Sequence, residues 1–169
     1  ECNDYIHWND RYIDEEAVDY LLAGYVPEKI NEIKILFSIF VRQIDSELKR
    51  SFEKITQEMS EKNITCKFRV ITNKDLHSTI HDRFISGSNI SWNTPSIGQI
   101  KKNQLSEITE SPHHEQIEKE FDRYWNDPSC LDLFADWTRI NAKLEMDKLA
   151  RKYVRNCTIC GRQTIVRNF

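Results

Sequence analysis

The sequence predicts an α/β domain with a mixed, partly parallel sheet and helices packed on its faces. Two apolar runs and the helix between them carry that reading. Ile33-Lys34-Ile35-Leu36-Phe37-Ser38-Ile39 is apolar enough for a strand buried on both faces. Around Asp45 to Ser60, the residues Ile44, Leu48, Phe52, Ile55 and Met59 recur at spacings of four, four, three and four, which is one face of a helix with a charged outer side. Asn63 closes that helix, and Cys66-Lys67-Phe68-Arg69-Val70-Ile71-Thr72 follows as a second buried strand over about 65–72. Strand, helix, strand in that order is a crossover unit, which places the two strands parallel in one sheet.

The remaining elements are read in order. Asp14-Glu15-Glu16 precedes Ala17, Val18, Leu21 and Leu22 at helical spacing, so a short helix ends at Gly24, and Pro27 marks the loop. Ile80-His81-Asp82-Arg83-Phe84-Ile85-Ser86 alternates as a strand beside the second one. Residues 87–98 are rich in Gly, Ser, Asn and Pro and read as loop, and Gln104 to Thr109 as a further strand. The rest is helical, from Ile117 to about Trp125 and from Leu131 to about Val154, where Leu133, Trp137, Ile140, Leu144 and Leu149 form an apolar stripe. The tryptophans there are read as core.

Composition narrows the function. The 169 residues suffice for one domain with a sizeable core, and 30% charged residues with only 4 Gly and 4 Pro exclude a low-complexity chain. A net charge of −3 argues against non-specific coating of nucleic acid, which needs a basic excess, while leaving room for a local basic site. No apolar run approaches the ~20 residues of a membrane span. Glu1 in place of Met points to processing or to a piece of a longer polypeptide. Five cysteines, at 2, 66, 130, 157 and 160, are odd in number and irregular in spacing, so a reducing, cytoplasmic setting is expected. Cys66 reads as a core thiol within its strand, and Cys130 as lying near a helix start.

Function is placed on residues 80–86. Alternation sets Ile80, Asp82 and Phe84 on one face and His81, Arg83 and Ile85 on the other, so an imidazole and a guanidinium project side by side. A histidine can attack phosphorus or shuttle its proton, and an arginine fork matches phosphate oxygens two at a time. The same pair is also what a structural ion pair with Asp75, Asp82 or Glu107 would look like. Cys157-Thr158-Ile159-Cys160-Gly161 has the form of a zinc-ribbon knuckle, to be weighed against two inert thiols on a terminal strand. A ribbon needs a second pair that the sequence to Phe169 does not contain, which suggests a truncated module. His113-His114 after Pro112 reads as a solvated turn, and His7 and His77 have no evident partner.

Over roughly residues 10–125 these pieces resemble the phospholipase D superfamily. Arg11-Tyr12-Ile13-Asp14-Glu15-Glu16-Ala17 through Ile33-Lys34-Ile35-Leu36 looks like its opening strand, helix and second strand. His81-Asp82-Arg83 looks like the His-Asp-Arg variant of its His-x-Lys signature, and Trp92-Asn93-Thr94-Pro95-Ser96 with Asn103-Gln104-Leu105-Ser106-Glu107-Ile108 resembles archaeal members that end in a zinc ribbon. The resemblance implies a three-layer α/β/α sandwich over residues 1–128, a helical extension at 129–155, and the start of a zinc ribbon at 156–169. It implies His81 as the nucleophile forming a phosphohistidine, Arg83 in the lysine's place, and Glu107 orienting the ring. It implies Ser96 on phosphate, with Gln99 or Asn103 standing in for an asparagine. Apart from the resemblance, Lys101-Lys102 between Ser96 and Glu107 reads either as local positive potential for a phosphate backbone or as an ordinary surface turn. Ser88 stands where the signature has its aspartate, Pro95 where the family has glycine, and Gly98 where it has asparagine. The superfamily uses two such motifs per active site and this chain holds one, so an active form would be a homodimer. The expected activity is a phosphodiesterase or nuclease on nucleic acid that needs no metal for catalysis, with Cys157 and Cys160 holding a structural zinc. The alternative is a catalytically degenerate module that binds nucleic acid or a protein partner. A membrane lipid is the third and weakest substrate class.

Overall fold

The strand at the centre of the sheet is one that sequence patterning passes over. In the computed structural model, which describes residues 2–24, 27–40, 44–80, 82–96, 99, 107–156 and 163–165, β1 spans Asp4–Asn9. Its Ile6 and Trp8 face one side and are buried among apolar residues, whereas Tyr5, His7 and Asn9 face the other. His7 and Asn9 are polar and yet buried, which is why apolar periodicity does not reveal this strand.

Helix α1 (Glu15–Gly24) follows, with the Asp14 carboxylate accepting from the Ala17 amide at 2.9 Å. A 3-10 turn, Pro27–Lys29, leads into β2 (Ile30–Ser38). Helix α2 (Ser46–Glu61) is capped by Asp45, whose side chain accepts from Glu47 and Leu48, and it buries Leu48, Phe52, Ile55 and Met59 as its spacing predicts. Its end is a Schellman turn: the Ile64 amide bonds the Met59 carbonyl at 2.9 Å, the Asn63 amide bonds the Ser60 carbonyl at 3.0 Å, and Asn63 takes the left-handed conformation at φ 59°. Strand β3 (Thr65–Ile71) completes the crossover, and β1, β2 and β3 are mutually parallel.

Beyond β3 the observed path corrects the expected one. Asn73 accepts from the Asp75 and Leu76 amides and starts a short helix, α3 (Lys74–Thr79), so the strand begins only at Phe84 (β4, Phe84–Gly87) and not at Ile80. Arg83 therefore lies on the approach to β4, outside the strand. Nor does β4 pair with β3: the chain returns past β2, and β4 runs antiparallel to β1. Residues expected as loop include β5 (Ile90–Asn93), joined to β4 by the two residues Ser88 and Asn89. Gly87 permits that hairpin to close on the N-terminus, since a Cβ there would meet Cys2 Cβ at 2.7 Å. Of the strand expected from Gln104 to Thr109, residues 104–106 lie outside the described residues and 107–108 are not strand; β6 is Thr109–Glu110.

Helix α4 (His114–Trp125) lies where the second apolar periodicity starts. The expected helix from Leu131 is instead β7 (Cys130–Asp132) followed, after a turn, by α5 (Trp137–Tyr153). Asp132 ends the strand by accepting from the Phe134 and Ala135 amides, both at 2.9 Å, a local turn that outcompetes continued helix. Cys130 thus sits in an edge strand paired with β3, not at a helix start. Burial pushes the Cys66 and Cys130 thiols each up to about 12, so both are inert core groups. A separate hairpin pairs β8 (Val154–Asn156) with β9 (Gln163–Ile165).

The described strands make a seven-stranded mixed open sheet of order β6-β5-β4-β1-β2-β3-β7, accompanied by five α-helices. One apolar cluster joins Ile33, Ile35 and Phe37 to α1, α2 and α5, through Val18, Phe52 and Ile140 among others. A second joins the opposite-facing Leu36 to Ile71, Phe84 and the α4 residues Phe121, Tyr124 and Trp125. Leu133, Ile140 and Leu144 belong to the first cluster, so the expected C-terminal extension contributes to the main core; Leu149, expected in the same stripe, is exposed. No helix among the described residues is long and apolar enough to cross a membrane.

Candidate functional site

The carboxyl ends of β1 and β2 form the edge to which the α3 segment returns, and open α/β sheets bind ligands at such an edge. The first residue after β1 is Asp10, fully buried. Its Oδ1 accepts from the Tyr12 amide at 2.9 Å and lies 3.3 Å from Arg83 Nε, a separation and angle of an ion pair more than of an aligned hydrogen bond; Oδ2 is shielded and has no partner among the described residues. The Arg83 guanidinium lies 5.1 Å from the Tyr12 ring centre and that of Arg11 5.7 Å, so two cations flank a ring that is 41% exposed. Arg11 Nη1 also donates to the His77 carbonyl at 3.2 Å, and the His77 Nδ1 and Ser38 hydroxyl share a 2.9 Å hydrogen bond. His77 thus has partners that its sequence context conceals.

The electrostatics of this corner favour an anion outside and resist one inside. Burial pushes the Asp10 carboxyl above its ordinary 3.8, outweighing the Tyr12 amide and the nearby charge of Arg83. The side chain of Arg83 is 26% exposed, and its terminal nitrogens have no hydrogen-bond partner among the described residues. Nε is held and the outer fork is free, the arrangement that presents a guanidinium edge to paired oxygens.

One stability consequence has a definite sign. A carboxyl whose folded value is raised lets the folded state hold the proton more tightly, so stability from this group is greatest below about 3.8 and falls as pH rises through the folded value. Asp10→Asn keeps an acceptor for the Tyr12 amide and leaves Arg83 in reach of water. Its unfolding free energy at pH 7 is expected within about 1 kcal/mol of wild type, with the decline above pH 3.8 flattened. Urea titrations across pH check this, and a loss of several kcal/mol at pH 7 would show the ionised pair to be net stabilising.

On the α4 side of the sheet the strands carry a polar row. His7, Ser86 and Ser91 stand opposite one another across β1, β4 and β5. Glu118 descends from α4 onto it: its Oε2 accepts from the Tyr5 hydroxyl and from His7 Nδ1, each at 3.0 Å, and its Oε1 from the Ser86 hydroxyl. An ionised carboxylate only accepts, so Nδ1 carries the His7 proton and the shielded Nε2 is left without a partner among the described residues. The imidazole is packed 4.3 Å from the Phe121 ring centre, nearly parallel to it. One turn earlier His114 Nε2 donates to the Ser88 carbonyl at 3.2 Å and Nδ1 accepts from the Ser91 hydroxyl at 2.8 Å. His114 is therefore an interior ligand of the hairpin and not part of a solvated turn. These contacts tie α4 to β1, β4 and β5.

No protein-family model matches this sequence, and no curated protein matches it. Among solved structures it aligns with TrmBL2, an archaeal chromatin protein described as showing a novel mode of DNA binding, at 10% identity and a TM-score of 0.40; the match covers 78% of this chain. The chain spans 46% of the length of that protein, and a likeness of this degree carries no functional argument.

The residues selected from sequence meet different fates. Arg83 is at the carboxyl edge of the sheet, whereas His81, Lys101, Asn103, Cys157 and Cys160 lie outside the described residues. Ser96 and Gln99 come together, but bonded to each other: the Gln99 side chain accepts from the Ser96 amide at 3.0 Å and hydroxyl at 3.1 Å, and the Gln99 amide donates back to Ser96 Oγ at 3.3 Å. Glu107 is exposed, outside any strand. The Cys157-to-Arg162 stretch connects β8 to β9, whose register sets Asn156 opposite Gln163. Among the described residues no group of three or more His, Cys, Asp or Glu is placed to hold a metal. Sequence reasoning missed Asp10 and the grouping of Arg11 and Tyr12 with Arg83, because the polar composition of β1 hides the strand end that presents them.

Proposed function

We propose that this chain is a phosphodiester-recognising domain of phospholipase D-like α/β/α architecture, acting on nucleic acid as a metal-independent phosphodiesterase. The observation that carries the proposal is the corner at the end of β1. There buried Asp10 holds Arg83 by Nε, and Arg11 with exposed Tyr12 adds a second cation and a ring face beside it. A guanidinium fork binds two phosphate oxygens, and an exposed ring accepts a base by stacking. His81, two residues before Arg83, is the nucleophile in this reading: its ring nitrogen attacks phosphorus, the ester oxygen leaves with a proton from the His81 of a second copy, and water then releases the phosphohistidine. A homodimer supplies that second histidine. Zinc at Cys157 and Cys160, in the β8–β9 connection, would serve structure alone.

The mutual hydrogen bonding of Ser96 and Gln99 favours a second reading. Both polar side chains are satisfied by each other, and Ser88 replaces the signature aspartate, so the same corner would bind a nucleic-acid backbone without cutting it.

The test is cleavage of labelled single- and double-stranded DNA and RNA in excess chelator. Wild type is expected to cut, His81→Ala to lose about 10³-fold or more, and Arg83→Ala about 10²-fold with weaker binding. Absence of cutting, with binding that Arg83→Ala still weakens, would establish the non-catalytic module. Binding that ignores Arg83 would remove both readings.

A further inference from the structure

Between α4 and the segment leading into β4 lies a cleft of about 490 Å³, within the roughly 300–1,000 Å³ of small-ligand sites. Ile80, Phe84 and Ile117 give it apolar surface, and the amides of Asn9, Asn93 and Gln116 give it polar edges. Among the described residues that line it there is no lysine or arginine. What it offers is acceptors. Asn9 is 1% exposed; its Nδ2 donates to the Asp82 carbonyl at 3.0 Å, which leaves Oδ1 shielded and without a partner among the described residues. Asp82 contributes its own exposed carboxylate to the same cleft.

The cleft is also in the right place relative to the corner at β1. Asp82 is the residue between His81 and Arg83, so one side of this short segment lines the cleft while the other meets Asp10. A phosphodiester on Arg83 would have its nucleoside within reach of Asn9.

We infer that this cleft takes a nucleobase edge-on and selects one bearing an exocyclic amino group, with Asn9 Oδ1 and the Asp82 carboxylate as acceptors. The nucleic-acid source of that base rests on the phosphodiester reading above. Cytosine, adenine and guanine present amino donors, whereas thymine and uracil present two carbonyls about a single N–H and would set acceptor against acceptor. Flat apolar faces with hydrogen-bonding rims match a floor of Ile80, Phe84 and Ile117 under an amide edge.

The experiment measures binding of short single-stranded oligo(dC), oligo(dT) and an abasic sugar-phosphate strand to the full chain. Oligo(dC) is expected to bind about tenfold tighter than oligo(dT). Asp82→Ala, at an exposed position, is expected to reduce that preference, and Arg83→Ala to weaken all three strands alike. Equal binding of dC, dT and abasic strands overturns the base cleft while the phosphate reading stands. If no strand binds, the phosphate reading falls, and titration with cytidine and uridine, followed by the side-chain amide signals of Asn9 and Gln116, decides the cleft. Shifts with cytidine and not uridine would support it; no shift with either would overturn it.

Discussion

Glu118→Ala is expected to destabilise the fold by about 3 kcal/mol or more, and to detach α4 from the sheet before the rest unfolds. Three donors end on this one carboxylate: the Tyr5 hydroxyl, His7 Nδ1 and the Ser86 hydroxyl. His7 and Ser86 are buried, and each buried donor left without an acceptor costs about 1–3 kcal/mol. Partial exposure of the Glu118 side chain, 19%, lets water replace some of that, so the low end for each donor applies. Burial alone would raise the carboxyl, but the hydrogen bonds from His7, Ser86 and Tyr5 outweigh it and hold it below its ordinary 4.5.

A depressed folded value means the unfolded chain binds the proton more readily. The contribution of Glu118 is therefore complete above about pH 4.5 and is lost as pH falls through the lower, folded value. Wild type should show this acid limb, and Glu118→Ala a smaller one, since Glu32, Glu120, Asp127 and Asp136 are also depressed. Glu118→Gln keeps one acceptor and puts an NH₂ in place of the other oxygen, so it should fall between the two at neutral pH and also show a smaller limb. Urea unfolding across pH, with hydrogen exchange of the α4 amides, checks both parts. Unchanged stability in Glu118→Ala would mean that apolar packing of Phe121 and Trp125 alone holds α4 in place.

Phe52→Ala should cost about 3–5 kcal/mol, a large fraction of the 5–15 kcal/mol typical of a domain. Phe52 is fully buried on α2, stacked on Phe68 of β3 with ring centres 4.4 Å apart and edge-on to Phe37 of β2 at 5.6 Å. The ring is the wedge between the crossover helix and the two strands it joins. Its removal leaves a cavity lined by stiff aromatic groups that cannot collapse into it. Phe52→Leu, which keeps most of the volume, should cost about 1.5 kcal/mol or less. Thermal and chemical melts distinguish the two, and a small loss in Phe52→Ala would show that the helix and sheet re-close around the gap.

The β2–α2–β3 unit was legible because its signals are local and agree. Apolar spacing over about Asp45 to Ser60 and the closing Asn63 agree with a helix that runs Ser46–Glu61 and ends at a left-handed Asn63. At β4 the signals conflict. Apolar alternation from Ile80 predicts a strand, yet Asn73 caps a helix just upstream and the chain spends 74–79 turning back across the sheet. Alternation still assigns Ile80, Asp82 and Phe84 to one side, and these residues do line one cleft. The β5 arm of the hairpin was hidden by its own composition, since Gly87, Ser88, Ser91 and Asn93 look like loop until His114 bonds Ser91 and the Ser88 carbonyl.

The candidate site divides in the same way. His81 and Arg83 attract attention as residue types at a spacing that suits phosphate, and that much is chemistry written in the chain. That Arg83 is held by Asp10, seventy-three positions earlier, and that His7 is held by Glu118, more than a hundred positions later, follows from strand order, which no local pattern encodes. The sequence by itself determined the α/β class and the parallel crossover, because helix and strand periods are properties of consecutive residues. The tertiary structure alone decided which buried polar groups meet, because a buried carboxylate or imidazole is tolerated only where the fold brings it a partner.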